Sequence, residues 1–254
     1  METIYFELHD RSYRVKVEIP EHPSGLCIVV PSGQMGKFDQ EGAEGERELY
    51  SHLFSLLPTQ GIGVAQPDMP LRKRLDLPAD EKHLCERGYL LKKTLQLPLL
   101  SHFPPERIVF LGVSLGGYVV LNNLHSRYAG AILVGCVIEE KISWTEPVRN
   151  IHLIYGSHDY IAYGDESGEL IPIAPEEYSK KCVQLLKESG VVNVSCTILD
   201  GFSHTLTPRV DTTEKPEEKI MNLIKKIICV PHCSKKIPSS GREAHLGSVR
   251  YPQN

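Results

Sequence analysis

The chain has 254 residues, 41% of them hydrophobic and 24% charged, enough apolar matter for one substantial core and a length suited to one large α/β domain. Its formal charge of -4 sets up no single-signed field that would recruit nucleic acid or an anionic membrane, and no run approaches the roughly 18 apolar residues of a membrane span. Seven cysteines, odd in number and scattered through apolar runs such as LCIVV and VSCTIL, read as small hydrophobes in a reducing compartment. METIYFELHDR carries no basic-then-apolar leader, so the expectation is a cytoplasmic protein with no membrane insertion.

Two alternating runs come first, Ile4, Phe6 and Leu8, then Tyr13, Val15, Val17 and Ile19, and predict an antiparallel hairpin with one buried face. LCIVV, residues 26–30, is continuously apolar, as a strand covered on both faces must be. Residues 44–58 place Leu49, Tyr50, Leu53 and Leu57 on one helical face and stop at Pro58, and GIGVAQP reads as the next strand. A helix over about 80–97 carries Leu84, Leu91 and Leu95 before the strand RIVFLGV.

After Ser114 and its helix come a strand at AGAILVG, another at IHLIYG, a helix opened by Pro175 and closed before Gly190, a last strand at NVSCTIL, and a helix near 213–229. Strands alternating with helices behind a leading hairpin predict a mainly parallel sheet with helices on both faces, whose sites form at the carboxyl ends of strands. Residues 1–230 form the expected domain. Residues 231–254, rich in Ser, Lys, Gly, Arg and Pro without periodicity, are expected to be poorly ordered.

The chemistry is concentrated at those strand ends. In GVSLGG, Ser114 sits between Gly112 and Gly116 on a turn from strand to helix, the setting that holds a hydroxyl at the edge of a sheet. Such a hydroxyl attacks only if a base takes its proton, and the base needs a carboxylate to fix its tautomer. IHLIYG exits into SHDY, with Asp159, and NVSCTIL exits into DGFSHTL, with His204. Asp165, Glu166, Glu139, Glu140 and Asp200 are rival acids; Asp159 is preferred because it lies nearest its strand end.

The developing negative charge on an acyl oxygen also needs donors. The backbone amide of Leu115, directly after the serine, is one; the amide of Gln34, in the loop PSGQMG after LCIVV, is chosen as the other.

On these motifs the chain resembles the α/β-hydrolase superfamily over about residues 1–230, in particular its small lidless members related to dienelactone hydrolases and bacterial esterases or thioesterases. GVSLGG matches the nucleophile elbow, GSHD the acid loop and GFSH the histidine loop. SGQMG matches the His-Gly-x-x-Gly oxyanion loop, with Ser32 in place of the histidine. The segment GCVIEEKISWTEPVRN is too short for the helical cap that such folds often insert there, which implies an open site bordered by Trp144, by the loop around Arg72, Lys73 and Arg74, and by Tyr160 and Tyr163.

The resulting expectation is a serine hydrolase acting on a carboxylic ester or thioester of a small acyl substrate, with Ser114, Asp159 and His204 catalytic and no cofactor required. An acyltransferase with the same triad, or a non-catalytic binding protein of the same fold, are the alternatives. Arg72, Lys73 and Arg74 are candidates for meeting a substrate carboxylate or phosphate. Cys229, His232, Cys233 and His245 have spacing too irregular for a zinc site, so no metal is expected.

Overall fold

A computed structural model describes residues 1–8, 11–43, 45–72, 81–164 and 170–229. The leading hairpin pairs β1 (Glu2–Leu8) with β2 (Arg11–Glu18) in antiparallel register, Ile4 opposite Val15 and Phe6 opposite Tyr13. There follow β3 (Gly25–Val30), α1 (Glu46–Thr59), β4 (Ile62–Pro67), α2 (Glu81–Leu95), the short α3 (Pro98–Ser101), β5 (Ile108–Val113) and α4 (Leu115–Asn123). The second half contains β6 (Gly130–Val134), β7 (Asn150–Gly156), β8 (Ile161–Gly164), β9 (Leu170–Ile173), α5 (Pro175–Glu188), β10 (Asn193–Leu199) and α6 (Pro216–Cys229).

Eight strands form one sheet in the order β1-β2-β4-β3-β5-β6-β7-β10. The six from β4 to β10 run parallel, and β2 joins them antiparallel through β4. Their side chains alternate between two cores. Leu26, Ile28 and Val30 of β3 and Phe110 of β5 face α2, α4 and α5, whereas Cys27, Val29, Val109 and Leu111 face α1 and α6. Burial on both faces is why these strands read as continuous apolar runs instead of alternating ones.

Pro58 ends no helix: α1 continues one residue past it, to Thr59, and its chain direction changes at Gln60 and Gly61. The sequence reading also has no counterpart for β8 and β9, which form a separate two-stranded antiparallel sheet, Ile161 opposite Ile173, directly after Asp159. No helix lies in residues 135–149, between β6 and β7, as the short segment there implied. No described helix is long and apolar enough to cross a membrane. Residues 231–254, including His232, Cys233 and His245, lie outside the described residues, and Cys229 is exposed.

The topology selects one place for a site. From β3 the chain steps to β4 on one side and then crosses back to β5 on the other, so the loops leaving β3 and β5 diverge around a crevice at their carboxyl ends. Val30 is paired with Gly112, which brings the loop of residues 31–36 level with the turn at Ser114.

Candidate active site

Ser114 has φ 51 and ψ -119, a region that L-residues with a Cβ enter only under strain. The strain is held from both sides. The Ser114 amide donates to Val134 O at 2.8 Å, across the end of β6, and its carbonyl accepts from Gly117 N at 2.8 Å as α4 begins. Gly116 is required for the close approach of β3: a Cβ there would stand 2.1 Å from Val30 O and 2.6 Å from Pro31 O. The start of α4 therefore rests directly on the loop after β3, and Leu115 Cδ2 lies 3.1 Å from where a Cβ on Gly33 would be.

Asp159 and His204 are brought together by backbone stitching between two neighbouring strand ends. Ser157 N donates to Leu199 O at 2.8 Å and His158 N to Phe202 O at 2.9 Å, while Gly201 N reaches Ser157 Oγ at 2.8 Å. The histidine loop is closed on itself by Ser203 N to Thr207 O, 2.9 Å, and Thr207 N to Ser203 Oγ, 3.1 Å. From α5, the Tyr178 hydroxyl donates to Asp159 O at 2.6 Å and fixes the acid's backbone.

The outcome is a bond of 2.8 Å between His204 Nδ1 and Asp159 Oδ1. Asp159 is 3% exposed, and its other oxygen, Oδ2, is buried without a hydrogen-bond partner among the described residues. The histidine side chain remains 42% exposed. An ionised carboxylate only accepts, so Nδ1 carries the hydrogen and Nε2 is the nitrogen left to take a proton. Burial lowers the proton affinity of His204, but the hydrogen bond and charge of Asp159, together with the charge of Glu46, outweigh it and raise the pKa above the ordinary histidine value.

Ser114 and His204 flank the same two residues. Ser114 binds Val134 O, and on the next residue, Gly135 at φ +58, a Cβ would lie 2.7 Å from His204 Cε1. The turn at Ser114 and the imidazole of His204 thus both lie against the end of β6.

Of the two chosen donors, the amide of Leu115 has no acceptor among the described residues and sits at the start of a nine-residue helix, where backbone dipoles favour negative charge. The amide of Gln34 is engaged instead, donating to Ser32 Oγ at 3.1 Å. Arg72 does reach the site, its amide donating to Gly33 O at 2.9 Å and its Cδ packed 3.3 Å from the Cβ position of Gly33. Lys73, Arg74, Asp165 and Glu166 lie outside the described residues. Trp144 is not a border of the site; its Nε1 donates to Leu121 O at 3.1 Å, nearly two turns along α4 from Ser114. Tyr160 is exposed, Asp200 accepts from Ser157 Oγ at 3.0 Å, and Glu139 and Glu140 stand in the segment after β6. The described residues contain no group of three or more His, Cys, Asp or Glu side chains able to hold a metal.

Sequence reasoning missed a buried polar group under the loop that follows β3. Glu46, Arg87, Tyr50 and Ser32 are all nearly inaccessible. Glu46 Oε1 accepts from Ser32 N at 2.7 Å and Tyr50 Oη at 2.5 Å, and Oε2 accepts from Ser32 Oγ at 2.7 Å and Ala43 N at 3.1 Å. Arg87 Nη2 donates to Ser32 O at 2.8 Å. The signal was present in helical spacing: Glu46 falls on the stripe of Leu49, Tyr50, Leu53 and Leu57, and Arg87 on that of Leu84 and Leu91.

No family model matches the chain, and no curated protein does. Among solved structures, it is similar to a sugar hydrolase from Lactococcus lactis at TM-score 0.58 and 15% identity, over 89% of this chain and 98% of that one. It is also similar to an α/β serine hydrolase without a lid from Xanthomonas campestris (TM-score 0.57, 13% identity, 89% and 93% covered). A third is a dienelactone hydrolase from Anabaena variabilis (TM-score 0.54, 12% identity, 89% and 94% covered). At such identities the likeness is one of fold, and the chain has the α/β-hydrolase fold.

Proposed function

We propose that this chain is a serine hydrolase that cleaves a carboxylic ester or thioester through an acyl-enzyme. The observation that carries the reading is the 2.8 Å bond from His204 to a buried Asp159 on the strand ends beside the strained turn of Ser114. A hydrogen-bonded acid and imidazole beside a hydroxyl held in strain is the arrangement that acyl transfer requires and that packing alone does not.

In this reading Ser114 Oγ attacks the acyl carbon as His204 Nε2 takes its proton, and the bond to Asp159 steadies the imidazolium. The amide of Leu115 meets the negative oxygen. His204 hands its proton to the departing alkoxide or thiolate, then takes one from the water that attacks the acyl-enzyme and returns it to Ser114 Oγ as the carboxylic acid leaves. The serine and imidazole supply nucleophile and base themselves, so the scheme needs no cofactor. The open face of His204 gives water a path to the acyl-enzyme, which favours hydrolysis over transfer to another acceptor.

The test is labelling with a fluorophosphonate, wild type against Ser114→Ala, followed by turnover of p-nitrophenyl esters of graded chain length and of an acyl thioester. Labelling confined to wild type, with turnover, supports the reading. Equal labelling of both removes Ser114 as nucleophile. Labelling with acyl passed to an added amine or alcohol and none to water makes the chain an acyltransferase, and no labelling leaves a binding protein of this fold.

A further inference from the structure

Ser32 stands at the start of the loop after β3, whose Gly33 packs against Leu115, and the resemblance sets a histidine in its place. A serine hydroxyl donates once and accepts up to twice. Here it donates to Glu46 Oε2 at 2.7 Å and accepts from Gln34 N at 3.1 Å. Giving its proton to a carboxylate makes the oxygen a stronger acceptor, so the two bonds reinforce each other.

Every other polar atom of Ser32 is tied down as well. Its amide donates to Glu46 Oε1 at 2.7 Å, and its carbonyl accepts from Arg87 Nη2 at 2.8 Å. Ser32, Gly33 and Met35 are buried, whereas Gln34 is exposed. Ser32 is thus the fixed end of the loop, and the Gly33–Gln34 peptide is anchored at its carbonyl by Arg72 N, 2.9 Å from Gly33 O, and at its amide by the Ser32 hydroxyl.

Resting on the serine-hydrolase reading, we infer that Ser32 is a latch on the oxyanion hole: its hydroxyl holds the Gln34 amide at rest, and the developing oxyanion must take that amide from it. One donor, Leu115, stands ready; the second is recruited. A neutral ester carbonyl is a weaker acceptor than an alkoxide, so recruitment favours the transition state over the bound ester. Ser32 is a positioning residue here, acting on the acyl group only through the Gln34 amide.

The experiment uses the whole chain and phenylboronic acid. Boron accepts a bond from Ser114 Oγ, the serine proton passes to His204, nothing leaves, and the tetrahedral anion mimics the oxyanion. Amide resonances of 15N-labelled wild type are followed on titration, with Ser114 labelling by fluorophosphonate as the parallel readout. The Gln34 resonance is expected to shift with that of Leu115, while that of Ser32, bound to Glu46, stays in place. Leu115 moving without Gln34 overturns the latch and leaves the hydrolase reading standing. No labelling and no shift at Leu115 overturns both.

Removing the hydroxyl in Ser32→Ala frees the amide and is expected to tighten phenylboronic acid by about threefold to tenfold, the worth of one neutral hydrogen bond. Ser32→Thr, which keeps the hydroxyl, is expected to bind as wild type does. Unchanged or weaker binding by a folded Ser32→Ala overturns the proposal; if that variant does not fold, the wild-type titration decides.

Discussion

Asp159 and His204, 45 residues apart in sequence, share a 2.8 Å hydrogen bond in which the acid is almost wholly buried and the imidazole is open on its other side. Burial keeps water from competing for the carboxylate, and openness leaves Nε2 free to take a proton in the serine-hydrolase reading. Asp159→Asn preserves the size of the acid but permits the wrong imidazole tautomer. It is expected to lower kcat by roughly 10³- to 10⁴-fold. Steady-state turnover of p-nitrophenyl acetate reads this directly, and a loss under tenfold would point to a different acid.

The same bond gives a pH dependence. Asp159 and Glu46 raise the pKa of His204 against the opposing pull of burial, and catalysis needs the neutral ring. The acid limb of kcat/KM should therefore lie above the ordinary histidine value of about 6.5 and fall on Asp159→Asn. In stability the effect runs the other way. The folded state holds this proton more tightly than the unfolded one, so the contribution is full below about pH 6.5 and drains as pH rises through the raised value. Urea unfolding of wild type and His204→Gln should differ more at pH 5.5 than at pH 8.5.

His152 shows the opposite slope. It is 7% exposed, with Nδ1 2.6 Å from Ser195 Oγ and Nε2 2.9 Å from Thr197 Oγ1. Burial, then Lys219 and Lys226, lower its pKa to about 4. The folded state keeps the ring neutral while the unfolded chain protonates it, so stability is lost as pH falls from about 6.5 towards 4. The difference between the two values corresponds to about 3 kcal/mol. His152→Gln should flatten the acid side of the urea-midpoint curve; an identical curve would contradict the burial argument.

Gly116 makes a steric prediction. Alanine there would bring Cβ within 2.1 Å of Val30 O, an atom of the backbone that cannot swing aside. Gly116→Ala should destabilise by at least about 1–3 kcal/mol and wedge the Leu115 amide away from the loop that follows β3. The readouts are the urea midpoint and kcat, which should fall together.

Arg87 is wholly buried, and burial lowers its pKa to about 10 against the opposing charge of Glu46. Its Nε and Nη1 have no acceptor among the described residues, and Nη2 ties it to Ser32 O at 2.8 Å and Met35 O at 3.4 Å, beside the charge of Glu46. Arg87→Met leaves that charge uncompensated and should destabilise by about 3 kcal/mol. Adding Glu46→Gln to it should restore a measurable part of the loss, and a purely additive double variant would show that the two charges are uncoupled.

The positions of Ser114, Asp159 and His204 at strand ends were legible in the sequence because each follows an apolar run whose type and end are set locally. A continuous run such as IVFLG must be a strand covered on both faces, and the residue after it must appear at the sheet's edge. The pairing of β8 with β9 is equally local, two apolar quartets around DESGE in YIAYGDESGELIPI. Glu46 and Arg87 were hidden for another reason: acids in a helix's first turn and cations along a helix are ordinarily solvated, and only their place on an apolar stripe hinted otherwise.

What the amino-acid order decided alone is the set of strands, the serine turn and the chain order of serine, acid and histidine, because backbone sterics and side-chain periodicity act over a few residues. The folded chain decided the rest. It chose Asp159 over Asp200 through the stitching of residues 157–158 to 199–202, moved Trp144 to the far end of α4, and set the Glu46 carboxylate against Ser32. Those outcomes depend on which groups from distant segments arrive within hydrogen-bonding range, and that distance is a property of the packed sheet, with no trace in local spacing.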